Sequence, residues 1–485
     1  MDKIELPERL SVLHPCFLIH APKTVRSVMK LHTRRPTLIF AYLLLVGCSG
    51  CISSASADDW PQWLGPMRDG VWREDNIIEE FPSGGPEMRW EVALGGGYSG
   101  PAVANGKVIV MDRIASGSLE QSPDLHNGNP PRNRNFLRRK ITGRERVVCF
   151  REEDGKQLWA HEYDCPYSTV ALYAIGPRVT PTVDGDRVYT LGAEGDLFCL
   201  DVETGRPLWS KNFVEDFGWQ VTEWGASAHP LVDGDQLICV VGGEGSTVVA
   251  FDRYSGEEIW RNLDARQSGY CPPVIYEIHG QRHLVIWHSD ALVGLNPATG
   301  EIRWQVPIQA TFAMTIGMPR IMDNRLFVMS FNRQSHLVEI TKDHHAEVIW
   351  SGAAKSGVGG VMNAPWLTSN HIYGCGPDGR YTCASLLDGE HLWETYQPTT
   401  GKRPASWGTA FTIPQGDRFF IANDLGDLII AKLSPTGYQE ISRAHLIDPT
   451  HNIGGRDVVW SHPAFANRSV YLRNDKHLRC FSLEK

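Results

Sequence analysis

Residues 200–209 read LDVETGRPLW, and close variants of that phrase return along most of the chain. Aligned on the turn glycine, the copies pair Gly155 with Trp159, Gly205 with Trp209, Gly256 with Trp260, Gly300 with Trp304 and Gly389 with Trp393, each Trp four residues after its Gly. Two degenerate copies fill the gaps, Ala346 before Trp350 and Gly437 before Ile441, and successive anchors lie 43 to 51 residues apart. A period in the forties with alternating apolar strands is the pattern of propeller blades, because one small sheet cannot bury both faces unless neighbours stack on it.

Upstream of each unit lies another strand, marked by Pro101, Pro181, Pro230, Pro272, Pro319, Pro365 and Pro463, with Gly408-Thr409-Ala410 filling the eighth place. Third strands also number eight, starting at residues 147, 197, 248, 292, 337, 381, 428 and 478. The last has no Gly-to-Trp strand after it, whereas residues 87–92, with Trp90, stand unmatched at the other end. The fold expected is therefore all-β: an eight-bladed β-propeller of four-stranded blades, closed by the N-terminal strand completing the last blade. Such closure leaves no open sheet edge. The propeller would span residues 84–485, with a lead segment at 58–83 holding three tryptophans and an insertion at 115–146 carrying Arg132, Arg134, Arg138, Arg139, Lys140, Arg144 and Arg146. That insertion reads as a solvated loop or as a docking patch for an anionic partner.

Six residues before each turn glycine stands a small side chain: Cys149, Cys199, Ala250, Gly294, Cys383 and Ala431, with Cys480 in the same column. Cysteines sharing a column with Ala and Gly read as core spacers rather than ligands. Cys375 and Cys383 flank one hairpin and are expected on opposite faces, unable to bridge.

Residues 1–57 have the order of an export signal, a basic stretch after Met29, an apolar run at 38–46, then small residues ending at Ala57. Leu45-Val46-Gly47-Cys48 also resembles a lipobox, which would make Cys48 a lipid anchor. Residues 1–57 hold seven basic and three acidic residues, so the remainder carries a formal charge of −13. Such a surface repels phosphate backbones, and nucleic acid is not expected as a partner.

The repeating units, as in residues 199–209 and 250–260, resemble those of pyrroloquinoline-quinone-type β-propellers. Similar repeats form the outer-membrane assembly lipoprotein BamB and the propellers of quinoprotein alcohol dehydrogenases. The resemblance implies that Trp90, Trp159, Trp209, Trp260, Trp304, Trp350 and Trp393 dock between neighbouring blades, with Ile441 a departure that weakens one junction. For a dehydrogenase it implies pyrroloquinoline quinone (PQQ) with calcium, under an adjacent cysteine pair and beside an acidic set. This sequence has no adjacent cysteine pair.

No HExxH, Walker or G-x-S-x-G motif is present. Chemistry on such a ring would sit in the loops entering the innermost strands, which converge around the channel. They supply Tyr98, Tyr173, Arg178, Trp219, Trp224, His229, Tyr270, Asn363, Trp407, Arg456, Trp460 and His462. Aromatics with an occasional Arg suit a peptide, sugar or planar ligand. His229 and His462, each directly before a Pro, are expected to border the channel without forming a metal site, and His344-His345 to face solvent. No residue is assigned a catalytic role. The expected function is a monomeric, non-catalytic binding scaffold exported to the cell envelope, similar to BamB and without a cofactor. Its partner would be an envelope protein or a small-molecule or polymer ligand. Two alternatives are a PQQ-dependent alcohol or sugar dehydrogenase and a carbohydrate-binding module.

Overall fold

The structure, a computed structural model, describes residues 58–485 except 118–121, 134–135, 166, 168–169, 172, 174–175, 332–333, 354–356, 361 and 454. Met29, Cys48, Ala57 and Arg134 lie outside the described residues. The chain forms eight four-stranded antiparallel sheets arranged as an eight-bladed β-propeller. Its α-helical content among the described residues is one short turn, Phe213–Phe217. Blade 1 comprises Ala102–Ala104, Lys107–Ala115, Gly143–Arg151 and Gln157–Asp164, innermost strand first. Blade 8 comprises Ala464–Ala466, Ser469–Arg473 and His477–Ser482, and its fourth strand is Met88–Ala93, in register Trp90 opposite Cys480. First and last strands thus close the ring.

The register explains the column of small residues. Cys149 lies opposite Trp159, Cys199 opposite Trp209, Ala250 opposite Trp260, Gly294 opposite Trp304 and Cys383 opposite Trp393. Each indole lies across its small partner, so the column is held short by contact: a Cβ on Gly294 would come within 2.1 Å of the Trp304 ring. The same indoles reach the next blade. Trp90, Trp159, Trp209, Trp350 and Trp393 donate their N–H to the carbonyls of Glu152, Val202, Arg253, Leu386 and Ser434, each in the following blade's turn. Trp260 and Trp304 instead donate within their own blades, to Gln236 and His283.

Three sequence readings need correction. Cys375 pairs with Tyr381 and Tyr373 with Cys383 along one ladder, so the two thiols share a face and sit two positions apart rather than on opposite faces. In the fifth blade the left-handed turn residue is His344 (φ 60°), not Ala346, and its ring packs 5.2 Å from that of His283 instead of facing solvent. The insertion is shorter than 115–146, because its flanks extend the blade as nine-residue strands through Ala115 and from Gly143. Arg144 and Arg146 belong to that strand and bind Glu162 (2.8 Å) and Asp112 (2.8 Å through Nε).

Ile441 sits at the bulge of its strand, half-buried. Beside it the lead segment supplies what a docking Trp would. Trp72 is buried edge-on to Phe420 at 5.1 Å and tilted on Phe465 at 5.0 Å, with Ile77, Ile78 and Phe81 in the same cluster. The lead then tracks over the inner strands: Trp60 pairs with Val103, the Pro61 carbonyl accepts from Val183, and Trp72 N–H donates to Pro414. Arg68 is buried and donates to the carbonyls of His229 (3.2 Å) and Pro230 (2.8 Å).

Candidate functional site

Where the loops entering the inner strands converge, the channel holds a cavity of about 290 Å³. Ten of the twelve channel-face residues named from sequence line it: Tyr98, Tyr173, Arg178, Trp224, His229, Tyr270, Asn363, Trp407, Trp460 and His462. Arg456 does not, because its guanidinium turns to the buried Asp424 carboxylate (2.7 Å) and the Ser406 carbonyl (3.1 Å). Burial pushes the Asp424 carboxyl up despite this partner. Trp219 also lies elsewhere, buried beneath Phe213 in the core of the second and third blades.

Several walls come from residues that the loop count passed over. Trp63, from the lead segment, stacks on His229 with centroids 4.6 Å apart and planes 12° from parallel, and meets His462 edge-on at 5.6 Å. Phe312 and Phe331 continue the aromatic lining toward Trp407, at 6.0 Å and 5.4 Å between successive rings. Asn133 and Phe136 bring the insertion to the same cavity. Phe312 is 61% exposed. It and Trp407 both have left-handed backbones (φ 56° and 62°), a strained conformation for bulky residues that tends to be retained where function requires it.

Several polar groups are committed to positioning, whereas Trp63 Nε1, Trp460 Nε1 and Asn363 Oδ1 have no hydrogen-bond partner among the described residues. The Tyr98 hydroxyl donates to the Tyr173 carbonyl (2.7 Å) and lies 2.5 Å from His451 Nε2, while His451 Nδ1 lies 3.0 Å from Asp475. Burial would raise the Asp475 carboxyl, but His451 and the Gly97 N–H hold it below the ordinary range. Burial pushes the Tyr98 phenol far up, which keeps its hydroxyl protonated as the donor to Tyr173. The Arg178 guanidinium lies over its ring at 4.5 Å. Trp224 donates its indole N–H to the Tyr173 hydroxyl and packs edge-on to Tyr270 at 5.6 Å. Asn363 Nδ2 bridges to the carbonyls of Cys375 and Ala410, tying two blades together. His229 Nδ1 accepts from Thr180 N–H, and burial, with Arg68 nearby, holds this imidazole well below its ordinary value. His462 is lowered to about 4, again by burial.

Residues 143–395, more than half of the chain, match the family described as outer membrane protein assembly factor BamB. The chain belongs to the BamB family. Curated relatives of that name include those of Burkholderia pseudomallei, 28% identical over 126 residues (25% of this chain, 30% of the relative), and Yersinia pestis, 20% identical over 265 residues (52% and 65%). The chain thus spans about a third to two thirds of the length of these relatives. Among solved structures, quinohemoprotein alcohol dehydrogenase from Comamonas testosteroni superposes with a TM-score of 0.58 at 12% identity, covering 88% of this chain and 80% of that one. A europium-containing methanol dehydrogenase gives 0.53 at 12% identity, over 86% and 89%. Those two likenesses concern fold alone.

The resemblance of the repeats to quinoprotein propellers implies, for a dehydrogenase, PQQ with calcium. A hard cation such as calcium takes oxygen ligands, carboxylates foremost. Among the described residues lining the cavity there is no Asp or Glu, and no three His, Cys, Asp or Glu side chains in the described chain group as a metal-holding set. The donor set present does not fit a calcium-held quinone.

Proposed function

We propose that this BamB-family propeller is an exported, non-catalytic binding scaffold of the cell envelope that takes its ligand or partner segment into the channel-mouth cavity. The observation that carries this reading is the cavity itself: an aromatic socket in which Trp63 Nε1, Asn363 Oδ1 and Trp460 Nε1 are left without a hydrogen-bond partner among the described residues. Binding pockets are apolar clefts with a few placed polar groups, whereas turnover needs an acid, base, nucleophile or metal within reach of the reacting atom. Here the buried Tyr98 keeps its proton and the two cavity histidines are depressed by burial. An envelope location is supported by the relatives, named as outer membrane assembly factors, and by the signal-like order of residues 1–57. Anchoring through Cys48 and cleavage after Ala57 are alternative outcomes of that leader, and the propeller acts as a monomer.

The test is titration of the full chain with the fluorescent probe anilinonaphthalene sulfonate. One-to-one binding that weakens in Phe312→Ala and Trp407→Ala supports the reading. Binding unaffected by either substitution, or absent altogether, overturns it.

A further inference from the structure

The cavity does not end at its aromatic wall. Past Phe136, Trp224, Tyr270 and Phe312, residues common to both spaces, it opens into a trough of about 730 Å³ across the loops of the second to fourth blades. The two differ in chemistry. The socket is aromatic, while the trough is lined by residues 218–223, 242–244 and 264–268 and by charged side chains. Two of its charges are cations already paired with carboxylates, Arg138 with Glu223 and Arg266 with Asp290 (3.3 Å). Glu244 and Asp264 are exposed and make no ion pair among the described residues.

We propose that socket and trough form one site for an extended, basic polypeptide segment, an aromatic side chain of which enters the socket while its backbone runs along the trough with Lys or Arg opposite Glu244 and Asp264. This rests on the reading of the cavity as a binding site and names its occupant. Three observations carry it. An apolar socket continuous with a polar trough suits a bulky apolar group on a polar chain, and a small aromatic molecule would leave the trough unused. The two uncompensated carboxylates at the open end set the sign of the partner's charge, since complementary rim charge steers encounter and rejects the wrong partner. Phe312 stands at the boundary, its ring mostly exposed on a strained backbone, and gains the most from being covered.

The experiment is calorimetric titration of the full chain with the capped heptapeptide Gly-Lys-Gly-Trp-Gly-Lys-Gly, against versions with Ala in place of Trp and with Glu in place of both Lys. The first peptide is expected to bind, the Ala version about tenfold or more weakly, as loss of a buried aromatic requires. Phe312→Ala should remove most of that difference. The double variant Glu244→Lys with Asp264→Lys should reverse the preference between Lys and Glu peptides at low salt. These are surface positions, so folding is preserved, which thermal melting checks. Equal affinity for the Trp and Ala peptides, or a charge preference unmoved by charge reversal, overturns the proposal. If no peptide binds while anilinonaphthalene sulfonate still enters in a Phe312-dependent manner, the peptide assignment falls and the binding cavity stands. If neither binds, both fall.

Discussion

Trp63 and His229 stack face to face, 4.6 Å between centroids, although they lie 166 residues apart in sequence. The contact seats a residue of the lead segment as the floor of a cavity whose walls come from the ring. Lead and ring are therefore one folding unit, and the socket depends on both.

Trp63→Ala should lose both the floor and stability. A buried Trp replaced by Ala costs about 3–5 kcal/mol, less where the site collapses. The variant is expected to melt lower and to bind anilinonaphthalene sulfonate more weakly, read by calorimetry and fluorescence. A variant as stable as the parent would separate the lead from the ring.

Gly294→Ala and Gly205→Ala test the indole packing. A Cβ on Gly294 meets the ring of its cross-strand partner Trp304, and one on Gly205, at φ 70°, would lie 2.3 Å from Trp159 of the preceding blade. Overpacking of this kind costs typically about 1–3 kcal/mol, and the left-handed backbone adds to it at Gly205. Urea denaturation should show both losses.

Much of this was legible in the sequence because repeats declare their own periodicity. The Gly-to-Trp spacing gave the period, and the inner-strand and third-strand counts gave blade number and ring closure, since each feature recurs and errors in one copy are corrected by the others. Single-copy features were harder. Trp63 carries no signal for stacking on His229 beyond its place in a Trp-rich lead outside the repeat. Phe312 sits in a loop whose strain is visible only in φ. Phe331 enters from between the second and third strands of its blade, a class of loop outside those that lead into inner strands. Arg456 looked like its neighbours, but Asp424, distant in sequence, captures it. The face shared by Cys375 and Cys383 depended on turn length, where a one-residue error inverts the answer.

The blade lacking a docking Trp should depend on the lead. Trp72→Ala removes a fully buried ring between Phe420 and Phe465 and is expected to cost about 3–5 kcal/mol. Ile441→Ala, at a half-buried bulge, should cost clearly less. Equal losses in thermal denaturation would contradict the substitution of one for the other.

Acid should destabilise the protein through the cavity histidines. His462 titrates at about 4 when folded against an ordinary 6.5, so between those values the unfolded chain binds a proton that the folded chain refuses. Stability from this group is complete above about pH 6.5 and is lost as pH falls toward 4, by up to about 3 kcal/mol. His229, lowered by burial and by Arg68, adds in the same direction. His462→Gln should melt with a shallower dependence on pH across this window than the parent; parallel curves would contradict the assignment.

The central claim is that the ring binds at its channel mouth without quinone chemistry, and the most direct measurement is calorimetric titration of the full chain with PQQ, with and without calcium. The account predicts that calcium leaves the titration unchanged, because no described carboxylate lines the cavity to hold it. Stoichiometric binding that appears only with calcium would contradict it.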